Sequence, residues 1–137
     1  MSTFEVIERN GVRYAEILRA DARTAISRFF SPPNSSLQFG LLAHEAGFFE
    51  PPHTHKSVRR QIDDLQQMLV VQRGVVAVEF YAEDGTMFRD VVLSQGDAIL
   101  LVHGAHAVRV LEDMQCVSVK QGPFLGADND KVPLQTK

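Results

Sequence analysis

The residues best suited to chemistry are His53 and His55, in the run Pro51-Pro52-His53-Thr54-His55. On extended backbone, side chains two residues apart project to the same side. The two prolines disfavour helix and hold the chain extended just before the histidines. Neutral imidazole is the commonest metal ligand, so two on one face make a natural half of a metal site. A further pair lies in Val102-His103-Gly104-Ala105-His106, directly after the apolar run 98–102. His103 reads as a rim or capping residue, and His44 as a hydrogen-bonded histidine of a strand. The single cysteine, Cys116, excludes an internal disulfide and reads as a small buried residue rather than a nucleophile. No Ser/His/Asp order and no glycine-rich phosphate loop stands out.

The elements that must position these residues are mostly β. The chain has 137 residues, enough for one domain with a core of its own. Residues 12–16 begin an extended stretch after the Asn10-Gly11 turn. Residues 22–30 fit either a short helix or a strand, and 31–36 form a loop by composition. Residues 37–45 read as a strand, as do 65–72, the latter stopped at Arg73-Gly74. From 75 to 81 the alternation is regular, with Val76, Val78 and Phe80 on one face. Asp84-Gly85 is a hairpin turn before the returning strand 87–93. Gln95-Gly96-Asp97 is another turn, followed by strands at 98–102, 107–111 and 115–120. Short strands divided by tight turns, with no long helix, indicate a sandwich or barrel. The expected organisation is residues 1–36 as N-terminal strands and a loop packing on the barrel, 37–126 as the barrel, and 127–137 as a polar tail that wraps the surface or frays.

A net charge of -3 argues against nucleic acid as a partner, since no basic stripe is present. The first ten residues lack a basic start and an apolar signal core, and no apolar run approaches the ~20 residues of a membrane helix. A soluble, cytoplasmic protein that does not engage a membrane is the expectation.

The histidines also carry a family resemblance. Gly47, five residues and His53-Thr54-His55 resemble the opening of the first cupin motif. Gln67, six residues and Gly74 match the spacing of that motif's Glu-x6-Gly, with glutamine in the place of glutamate. Gly96, five residues and Val102-His103-Gly104-Ala105-His106 resemble the second motif, with valine for proline and one residue fewer before the histidine. The resemblance covers residues 37–120. It implies an all-β, cupin-type double-stranded β-helix, a jelly-roll barrel with little helix. It further implies that His53, His55 and His106 converge inside the barrel mouth with Gln67 at the fourth position. They would hold one divalent transition metal ion: iron, manganese, nickel, zinc or copper, among which this ligand set does not choose.

Eleven residues separate His55 from Gln67, more than the motif's usual three or four. This insertion is charged and is expected to form a loop beside the mouth. There Arg59 and Arg60 are candidates to clamp a carboxylate or phosphate, and Asp63 or Asp64 to supply the missing acid. Gln38, Lys120 and Gln121 are further candidate substrate contacts. The runs Val119-Lys120-Gln121-Gly122-Pro123-Phe124, Gln38-Phe39-Gly40 and Gly104-Ala105-His106 are similar to short bacterial cupins found among genes for surface-polysaccharide or unusual-sugar synthesis.

The expected function is a metal-dependent enzyme on a small polar metabolite such as a sugar derivative, of isomerase, epimerase or oxygenase type. A metal-free cupin isomerase or epimerase with histidine as general base is the alternative, motivated by Gln67. A non-catalytic small-ligand binder is a third. By analogy with cupins a homodimer is expected, with Phe4, Val6 and Ile7, or Phe29-Phe30, covering a neighbour's sheet edge.

Overall fold

The computed structural model describes residues 4–137, and it is mostly β. Strands β1 (Phe4–Arg9) and β2 (Val12–Leu18) form a hairpin through Asn10 and Gly11, both at positive φ (51° and 76°), as a tight hairpin turn requires. Short strands β3 (Arg28–Phe29) and β4 (Gly40–Leu41) pair with each other outside the main sheet. The main sheet continues with β5 (Gln67–Tyr81), β6 (Met87–Leu93), β7 (Ala98–Leu101) and β8 (Ala105–Lys120). Its order is β1-β2-β7-β5-β6, with β8 on the other side of β5.

β5 is too long to be one straight strand in so small a molecule, and it bends. Its first residues, Gln67 to Val70, lie between β7 and the end of β8. Its last, from Val76 to Tyr81, lie between β6 and the start of β8. Between the two halves the β5–β8 register slips repeatedly, at Val71/Arg73, Arg73/Val75 and Val75/Val76. Bulges of this kind curl a sheet. Gly74 sits at the bend with φ 90°, and a Cβ there would collide with the backbone of Asp113 and Met114. The expected stop at Arg73-Gly74 is therefore a bend within one strand. In the same way, the expected strands 107–111 and 115–120 are one strand whose bulges absorb the residues between them.

The curl makes the sheet a half-barrel with the core in its hollow. Val76, Val78 and Phe80 are 0%, 0% and 1% exposed, and they pack with Ile17, Leu69, Val71, Leu93 and Ile99. A second apolar cluster, around Leu18, Phe39 and Leu100, lies on the outer face of β2 and β7. It receives the loop 31–39 through a buried polar link. The Ser31 hydroxyl donates to Glu16 Oε1 (2.6 Å) and accepts from the Phe39 amide (2.9 Å), while Arg13 donates to Glu16 Oε2 (3.1 Å). The Gly96-Asp97 turn is locked similarly, since the Asp97 carboxylate accepts from the Ala20 and Ser94 amides at 2.8 and 2.9 Å.

Two expectations need correction. The strand expected at 37–45 shrinks to Gly40–Leu41, because only those two residues meet a partner strand. Residues 22–30 form no helix; Arg28–Phe29 alone is extended and paired. The tail makes one helical turn, α1 (Ala127–Asp130), and then wraps back. The Lys137 amide donates to the Gly85 carbonyl (3.0 Å), pinning the chain end on the β5–β6 turn. Among the described residues, no helix is long and apolar enough to cross a membrane.

Candidate functional site

The candidate metal ligands fall into two groups. His53 and His55 lie in residues 44–65, an exposed stretch without strand or helix. The prolines and the alternation still place the imidazoles together, with ring centres 5.3 Å apart at 72°. An ion held ~2.0–2.1 Å from one nitrogen of each ring puts two ring centres at roughly this separation. The Nδ1 of His53 lies 2.9 Å from the Pro51 carbonyl oxygen. With a proton on Nδ1, donated to that carbonyl, Nε2 keeps its lone pair for a ligand, the usual arrangement of a metal-bound histidine. Glu50 Oε1 lies 3.5 Å from that Nε2. Glu50 therefore stands beside the histidine pair. Its signal was the i,i+3 spacing to His53 across two prolines, which folds the carboxylate back onto the ring.

The second group lies in the hollow of the half-barrel. His106 opens β8 opposite Phe80, and residues opposite each other across a ladder share a face, so His106 points to the core side. Gln67 opens β5 opposite Leu101. The bend in β5 brings both ends of that strand to one place, and Gln67, His106 and Asp64 line a cleft of about 130 Å³. Burial holds His106 below the usual imidazole range. The nearby Lys131 charge acts in the same direction, and a hydrogen bond with the Gly104 backbone opposes both. The residue keeps accessible surface all the same; it sits within the protein mass but is open to solvent along the free edge of β8. A neutral imidazole is the form a metal binds. Gln67 Nε2 donates to Ser118 Oγ (2.9 Å), which leaves Oε1, the atom a cation would take, without a hydrogen bond among the described residues.

Within one chain these two groups do not form a single site. Among the described residues, no three His, Cys, Asp or Glu side chains gather in a metal-binding arrangement. The other candidates divide clearly. Arg59 and Arg60 are exposed in the same stretch as His53, where Arg60 reaches only the Val58 carbonyl (3.4 Å). Asp63 is approached by Gln61 (3.2 Å). Gln38 is engaged in holding its own loop, donating to the carbonyls of Pro32 (2.9 Å) and Ser35 (3.2 Å). Lys120 pairs with Asp130 (3.1 Å) beside a larger groove of about 500 Å³. Gln121 Oε1 accepts from the Gln66 amide (2.9 Å), while its buried Nε2 finds no partner among the described residues.

The remaining histidines and the cysteine have packing roles. His103 meets Tyr14 edge-on at 6.0 Å. His44 is exposed and stacks on Phe48 at 3.8 Å. Cys116 packs against the main core, and burial pushes its thiol up.

Searches for related proteins found no matching family model, curated protein or solved structure.

Proposed function

We propose that this chain is a metal-binding protein of the cupin type, and an enzyme that acts on a small polar metabolite such as a sugar derivative. The observation that carries the reading is the His53–His55 pair: two imidazoles at ligand separation, one with its Nδ1 2.9 Å from the Pro51 carbonyl oxygen. Glu50, His106, Gln67 and Asp64 are the further donors available to complete a set with them. Glutamine in place of glutamate leaves one negative charge fewer around the ion, which favours an anionic ligand. A bound divalent ion supplies Lewis acidity, the property an isomerase, epimerase or oxygenase of this type uses on a carbonyl or vicinal hydroxyl. The chain's own groups would do the rest. Neutral His106 would offer a ring nitrogen inside the hollow, and Arg59 and Arg60 would attract an anionic group.

The test is elemental analysis of protein produced in metal-replete medium, together with titration of metal-stripped protein with Co²⁺. About one ion per chain is expected, lost in His53→Ala and His106→Ala. Wild-type protein with only traces of metal, and no change on His53→Ala, defeats the proposal.

A second reading rests on the Glu50–His53 contact. A carboxylate next to an imidazole can orient and strengthen a general base. A metal-free isomerase would use that pair, and turnover that survives complete metal removal would favour it.

A further inference from the structure

The chain leaves two long elements unpaired. All of residues 44–65 are exposed, and from 49 to 65 no backbone group bonds another backbone group among the described residues. Stretches of such length without structure are uncommon in compact domains. β8, with 16 residues, pairs only with β5 among the described residues, so no described strand meets the amides and carbonyls of its other edge. The hollow side of β8 is apolar. Val108 and Val110 are 41% and 51% exposed there, although their ladder partners Val78 and Val76 are fully buried.

The total surface shows the same deficit. A compact monomer of 15.3 kDa exposes roughly 7,100 Å², whereas this chain exposes 9930 Å². The excess of ~2,800 Å² is far above the ~800 Å² that each partner buries in a standard interface, and is in the range of obligate dimers.

We infer that two copies exchange residues 44–65, each laying this segment along the free edge of β8 in the other. The segment is flanked by ties to its own chain, the Ser27 hydroxyl with the Ala43 amide and Gln121 with the Gln66 amide, and its last residues, Ile62 to Leu65, line clefts beside the ends of β8. Extended, its residues span about 70 Å at ~3.3 Å each, ample to reach a second molecule. One two-fold arrangement satisfies both segments and both edges together. The exchange also completes the site, because it carries His53 and His55 of one chain to His106 and Gln67 of the other. That last consequence rests on the metal reading above; the exchange itself does not.

Two measurements on the full chain test it. Sedimentation equilibrium at micromolar concentration should give twice the chain mass, and a monomer overturns the inference. In a Cys116→Ala background, His55→Cys with His106→Cys should be joined by a short bis-maleimide into covalent dimers on a denaturing gel. Cross-linking confined within single chains, or none at all, overturns the exchange. If that variant cross-links between chains while the wild-type dimer binds no Co²⁺, the metal reading fails and the exchange stands.

Discussion

Two parts of this molecule treat their apolar residues differently. In the bent β5 strand, Val76, Val78 and Phe80 are sealed between sheet halves. In residues 44–65, Phe48, Phe49 and Val58 are 57%, 73% and 57% exposed. The difference lies in partners. Each half of β5 has a strand on both sides, whereas the segment has none. The candidate ligands sit on both sides of this divide, two on the unpartnered segment and two in the hollow.

Substitutions can sharpen or break this contrast. Phe80→Ala should have the largest effect, costing ~3–5 kcal/mol by leaving a cavity in the sealed half. Chemical denaturation should show it as a lowered midpoint with little change in slope. Gly74→Ala comes next, at ~2–3 kcal/mol, because its positive φ and the Asp113 backbone both oppose a side chain. It should also broaden the amide spectrum of β5 and β8 around the bend; an unperturbed spectrum would mean that the bend does not rely on glycine. Ser31→Ala should cost ~1–3 kcal/mol, since it leaves buried Glu16 and the Phe39 amide short of a partner. Thermal melting checks it, and a loss below that range would show that water replaces the hydroxyl.

The smallest effect is a pH dependence. Hydrogen bonds from Arg109, and secondly from Tyr81, hold the Glu79 carboxylate below its usual range. The pair joins β5 to β8 at 3.1 Å but faces solvent on the arginine side. A depressed carboxylate adds stability above its unfolded pKa, and this is lost as pH falls through the lower folded value. Wild type should therefore lose slightly more stability than Glu79→Gln in the acid range below about pH 4.5. Parallel melting curves across pH would show that the pair contributes nothing.

Much of the framework was legible from local pattern. The alternation at Val76, Val78 and Phe80, the Asp84-Gly85 hairpin and the Gly96-Asp97 turn all stand where their residue types indicated. Gly74 was misread because a positive-φ glycine ends one strand and bends another, and only the neighbouring strand decides which. The 37–45 strand failed for a related reason: extended propensity makes a strand only where an edge is there to pair with it. The Glu50 contact follows from its i,i+3 spacing to His53, which brings the carboxylate beside the ring.

Of the residues expected to cover a neighbour, Ile7 is in the main core and Phe4 stacks on Phe30 at 4.5 Å, whereas Phe29 is 55% exposed.

What the sequence determined by itself is what neighbours along the chain can enforce: strand periodicity, turn positions, and the pairing of His53 with His55 across one residue. Tertiary structure alone decided that β5 curls, that Gln67 and His106 share a cleft, and that residues 44–65 lie outside the sheet. Those outcomes depend on hydrogen bonds and apolar contacts between residues far apart in the chain, and no local pattern records which of them a single copy can satisfy.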